Sequence, residues 1–178
     1  EQETLRSLTL MPIDGIFPRQ LAQWLKQPNL NPINDLTEMG LIQPKNDREI
    51  LLHPLIREVA LEELKPSVHN CAVLLDSLET ISRCHGMDFV NNRQVFQIVD
   101  MIMDSIYKDD VPGYLLFLEN VFQYMDKYRY ESGMQAIIDE LRAILSDETV
   151  GTASDRACLL DCRAALEKNT EKAIALVQ

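Results

Sequence analysis

The stretch NPINDLTEMGLIQPKNDREILLHPLIREVALEEL, residues 31–64, decides how the chain is read. It opens with Asn31-Pro32, a helix-capping residue followed by proline at a first-turn position, where the missing N–H is one that has no partner inside a helix anyway. Ile33, Leu36 and Met39 follow at helical spacing, and Gly40 supplies the stop. Leu41-Ile42-Gln43 and Glu49-Ile50-Leu51-Leu52 are too short for helices and flank the polar turn Lys45-Asn46-Asp47-Arg48, so they predict a small β-hairpin. A further helix leaves the hairpin at Pro54, carries Leu55, Val59 and Leu64 along one side and ends before Pro66.

Working outward, Pro12, Gly15, Pro18 and Pro28 permit only short elements before this stretch. Leu5, Leu8 and Met11 mark one helix ending before Pro12, and Leu21, Trp24 and Leu25 mark a second that starts near Pro18. Three helices and a hairpin form the order of a winged helix, predicted for residues 1–65. From Ser67 onward only Pro112 interrupts, and apolar residues recur at three- and four-residue intervals. The predicted helices are 68–82, with Cys71, Leu74, Leu75, Leu78 and Ile81 on one side, and 91–107, burying Val95, Phe96, Val99, Ile102, Met103 and Ile106. They continue at 113–128, 131–145, 153–166 and 171 to the end. The fold class is mainly α, with a winged-helix module followed by an array of helical hairpins over residues 66–178.

The formal charge of −11 is uneven: through Pro66 there are 7 Lys+Arg against 10 Asp+Glu, and beyond it 10 against 18. An acidic field repels phosphate backbones and anionic lipid, which argues against a nucleic-acid or membrane partner. No apolar run is long enough for a membrane span, and Glu1-Gln2-Glu3 lacks the pattern of a signal peptide, so a cytoplasmic protein is expected. The 4 cysteines form no disulfide framework and read as reduced thiols. An opening without methionine and an ending inside a helical pattern lead us to expect a piece of a longer chain.

Several of these segments resemble known families. Tyr124, Tyr130, Gly133 and Ile137, with Ala164, Ala173 and Val177 further on, fall at spacings that resemble degraded tetratricopeptide repeats; Glu140 and Asp161 depart from that pattern. The series Leu8-Thr9-Leu10-Met11-Pro12, Ile13-Asp14-Gly15-Ile16, Leu21 and Trp24, Leu36-Thr37-Glu38-Met39-Gly40-Leu41-Ile42 and Leu51-Leu52-His53-Pro54-Leu55-Ile56-Arg57 resembles the winged-helix segment of NB-ARC/STAND signalling ATPases. The resemblance implies a nucleotide-binding domain upstream as partner, ADP or ATP bound to that parent protein, and a protein or peptide ligand on the repeats. It also implies that His53, at the place of the family's Met-His-Asp histidine, faces the ADP diphosphate. Leu52 and Pro54 replace the motif's Met and Asp.

An imidazole N–H at a helix N-terminus joins free backbone donors in facing an anion, which suits that role; the same histidine can equally serve as a helix cap. No G-x-x-x-x-G-K-[ST] loop is present, so these residues are not expected to bind and hydrolyse ATP, and no catalytic residue is assigned. Asp35 and Glu38 are the charged residues of the third helix, which speaks against reading DNA through it. A DNA-binding transcription regulator and a freestanding peptide-binding scaffold remain the alternative functions. Cys158 and Cys162 share a helix face, and His69 with Cys71 and Cys84 with His85 are other thiol and imidazole pairs, but none has the spacing of a zinc module; buried thiols are expected and no metal. Tyr124, Tyr128 and Tyr130 are candidates for a partner groove, with interhelix packing as the alternative.

Overall fold

The computed structural model describes residues 1–46, 48–83 and 89–177. Cys84, His85 and the turn residue Asp47 lie outside the described residues. The chain is mainly helical with one small antiparallel sheet, and it divides into two compact units, Glu1–Asp109 and Asp110–Gln178.

The first unit begins with α1 (Gln2–Thr9), α2 (Pro18–Trp24) and α3 (Asn31–Glu38). Proline occupies the first turn of α2 and α3 as expected, whereas the cap of α3 differs: Leu30 holds the N-cap position, and the Asn29 side chain accepts from the Asn31 N–H at 2.9 Å. Gly40 stops α3 with a φ of 74°, and the Leu41 N–H closes back onto the Leu36 carbonyl at 3.0 Å. The hairpin follows as β1 (Ile42–Pro44) and β2 (Ile50–Leu52), pairing Ile42 with Leu52 and Pro44 with Ile50. Its turn is held by Asn46, whose side-chain oxygen accepts from the Arg48 and Glu49 N–H groups at 2.9 and 2.8 Å.

One pairing was not foreseen. Ile16 exchanges both backbone hydrogen bonds with Ile50, each at 2.9 Å, so a residue between α1 and α2 extends the hairpin sideways. This explains Gly15: a Cβ there would stand 3.0 Å from the Ile50 carbonyl, and its φ is 95°.

α4 (Pro54–Leu64) packs against α1, and α5 (Ala72–Arg83) packs against α2. Cys71, Leu74, Leu75, Leu78 and Ile81 are all buried, as their periodicity predicts. In α6 (Phe89–Ser105) and just beyond it, Val95, Val99, Ile102 and Ile106 are buried as expected; Phe96 and Met103 are only half-buried, and Ile98 is fully enclosed instead. The segment after α4 is stitched to the end of α6: the Tyr107 N–H donates to the Pro66 carbonyl at 2.7 Å, and the Val68 N–H to the Tyr107 carbonyl at 3.0 Å. By compactness the chain divides after Asp109.

The second unit holds α7 (Val111–Lys127), α8 (Glu131–Leu145) and α9 (Ala153–Val177). Asp110 caps α7 by accepting from the Gly113 N–H at 3.1 Å. α7 packs on α8 and α8 on α9, around Tyr114, Phe117, Val121, Tyr124, Met134 and Ile137. Gly133 is where a methyl would not fit, since its Cβ would fall 2.4 Å from the Tyr130 ring and 2.6 Å from the Met125 sulfur.

The break expected between residues 166 and 171 is absent, and α9 runs through it. Glu167-Lys168-Asn169-Thr170 is polar, but it contains neither proline nor glycine, and Glu and Lys are good helix formers. Ala164, Ala173 and Val177 thus share one helix rather than forming a second hairpin.

Candidate functional site

His53 stands at the N-cap of α4, and its backbone N–H donates to the Leu41 carbonyl at 3.4 Å, beside the start of β1. Its ring Nδ1 accepts the Leu55 N–H at 3.2 Å. An acceptor at Nδ1 places the proton of the neutral ring on Nε2, so the remaining ring edge is a hydrogen-bond donor. The ring is half-buried, at the positive end of an eleven-residue helix. The two roles left open for His53 are thus compatible: it caps through Nδ1 and keeps Nε2–H as a donor.

The rest of α4 corrects the sequence reading. Leu55, Val59 and Leu64 do not lie along one side. Leu55 is 65% exposed and Val59 59% exposed, while the residues turned inward are Arg57 and Ala60, with Leu61 and Leu64 half-buried below them. The reason is a polar tether. The Arg57 guanidinium donates to the Thr9 carbonyl at 2.6 Å, at the last residue of α1, where no intrahelical donor is left for that oxygen. Once Arg57 points inward, the 100° step between helical residues turns Leu55 and Val59 to solvent together with Glu58 and Glu62. Burial lowers the Arg57 pKa from its ordinary value, yet an arginine remains charged. Met39, two residues before Leu41, is a further exposed apolar side chain.

The solvent face of α3 presents Asn31, Asn34, Thr37 and Glu38, with no Lys or Arg. A face lacking cations cannot neutralise phosphates.

Of the tyrosine trio, Tyr124 is buried while Tyr128 and Tyr130 are half-buried. Tyr124 is 1% exposed and meets Tyr128 edge-on, with ring centroids 4.9 Å apart. Burial raises its pKa to about 12. Tyr130, half-buried, covers Gly133. A groove of about 370 Å³ lies between α7 and α9 in the second unit, bordered by Glu119, Phe122, Asp126, Ala157, Asp161 and Cys162. The first unit has a larger one of about 640 Å³ between α2 and α5, where Lys26 pairs with Asp76 and the Ser77 hydroxyl donates to the Trp24 carbonyl at 2.6 Å.

Cys158 and Cys162 do meet, with sulfurs 3.9 Å apart. Burial first, and then neighbouring negative charge, pushes both thiols upward, which keeps them protonated. Burial likewise raises the Cys71 thiol to about 11. Among the described residues, no group of three or more His, Cys, Asp or Glu side chains is placed to hold a metal, and no helix is long and apolar enough to cross a membrane.

Compared with known proteins, the chain matches no family model, no curated protein and no solved structure.

Proposed function

We propose that this chain is the regulatory part of a cytoplasmic STAND-type signalling NTPase, in which the first sixty-odd residues act as a winged-helix latch on a nucleotide-binding domain and the later helices receive a protein or peptide signal. The observation that carries the reading is the outward side of α4, where the Nε2–H donor of His53 precedes the exposed apolar pair Leu55 and Val59. Single exposed apolar side chains are ordinary, but two on one helix face beside a donor with no partner among the described residues suit a partner surface that covers the pair while offering an anion. The diphosphate of a bound nucleotide is such an anion. Signal binding to the helices would open the latch to the extent that the ligand prefers the open state.

The cation-free face of α3 weighs against the transcription-regulator alternative. The test is ADP retention by the full-length protein. His53→Ala removes both cap and donor; His53→Asn keeps a capping acceptor and loses the imidazole reach. We expect both variants to release ADP at least about tenfold faster, the size of one charge-assisted hydrogen bond. Unchanged release from His53→Asn, with loss confined to His53→Ala, would reduce His53 to a cap and reject the latch chemistry.

A further inference from the structure

The groove between α7 and α9 is built from two regular helix faces. Glu119, Phe122 and Asp126 come from α7 at spacings of three and four, and Ala157, Asp161 and Ala165 come from α9 at spacings of four. The small side chains of Ala157 and Ala165 on α9 leave the groove unfilled, and Phe122, only 4% exposed, makes an apolar floor with the Cys162 sulfur. Three carboxylates border this floor, and among the described residues no cation lines it.

Two of the nearby cations are otherwise engaged. Arg156 donates to the Asp147, Glu148 and Val150 carbonyls of the loop between α8 and α9, and Lys127 lies over the Tyr128 ring. Asp126 accepts from Asn169 at 2.6 Å through one carboxylate oxygen, and neither Glu119 nor Asp161 forms an ion pair among the described residues. Residues 110–178 as a whole carry twelve Asp+Glu against seven Lys+Arg, so the wider field has the same sign.

We propose that this groove binds one arginine or lysine side chain projected from a partner protein segment, its aliphatic stem on Phe122, Ala157 and Cys162 and its charged head between Glu119 and Asp161. The chemistry favours such a side chain over a plain apolar one because burial of the stem and neutralisation of the rim occur together. The volume stands near the lower limit of ligand pockets, which suits a single side chain rather than a large cofactor. This goes beyond the latch reading, since it concerns a different unit and holds whether or not His53 meets a nucleotide.

The test is a nuclear magnetic resonance titration of the chain with the blocked peptide Ala-Ala-Arg-Ala-Ala and with its isosteric neutral analogue carrying citrulline. The arginine peptide is expected to move the resonances of Phe122, Ala157 and Ala165, and the citrulline peptide to bind about tenfold more weakly or not at all. Joint Glu119→Gln and Asp161→Asn substitution is expected to weaken the arginine peptide about tenfold, as two part-exposed charge contacts are lost, and to leave the melting temperature unchanged. Equal binding of the two peptides, full affinity in the neutralised variant, or no shift at these residues would overturn the proposal. Butylguanidinium binding as tightly as the peptide would overturn its assignment to a protein segment.

Discussion

Helices α4 and α7 obey opposite rules. α7 turns Tyr114, Phe117, Leu118, Val121 and Met125 into its unit and leaves one large apolar residue, Leu116, at 51% exposure. α4 turns a guanidinium and an alanine inward and leaves Leu55 and Val59 in solvent. Length accounts for part of the difference. α7 has seventeen residues and satisfies most of its carbonyls internally, whereas α1 has eight and ends at a carbonyl that needs an outside donor, which Arg57 provides. In a unit of short elements, polar side chains are drawn inward to close helix ends: Arg6 reaches the Leu64 carbonyl at 3.3 Å, and Ser77 reaches that of Trp24. The apolar side chains displaced from the inner face of α4 then become available to something else.

The comparison breaks first at the largest effect. Phe117→Ala empties a fully enclosed site stacked near Tyr114 at 6.3 Å, and should cost the second unit about 3–5 kcal/mol, read by urea unfolding followed by circular dichroism. A cost below about 1 kcal/mol would mean that α7 does not organise its unit by apolar burial. Next comes Arg57→Met, which preserves the stem but leaves the Thr9 carbonyl without its donor. About 2 kcal/mol should be lost, read on the fluorescence of Trp24, the single tryptophan, which reports the first unit. A neutral or stabilising result would show that the tether does not set the orientation of α4.

Much of the element plan was legible because its signals are local. Pro18, Pro32, Pro54 and Pro112 all sit in first turns, and Gly40 ends α3. What was illegible depended on residues far apart in sequence. The Ile16–Ile50 pairing joins two segments with no shared pattern, and the inward turn of Arg57 is decided by a carbonyl 48 residues away. The alternative, Leu55 and Val59 packed inside, was the natural reading of hydrophobicity alone. The polar run before Thr170 looked like a loop because polarity was read where only a helix breaker would have counted. At the candidate site, His53 was recognisable as a cap before Pro54, while the ring edge left free depends on where the Leu55 N–H points. The α7–α9 groove was missed because it is made by small residues on one helix facing carboxylates on another, and neither helix announces it separately.

The most direct measurement is the urea stability of the chain carrying Leu55→Ser and Val59→Ser together. If the outward side of α4 serves a partner rather than its own unit, the double variant should unfold within about 0.5 kcal/mol of the unsubstituted chain, as surface positions do. A loss of about 3 kcal/mol or more would place those side chains inside the first unit's core and contradict the account.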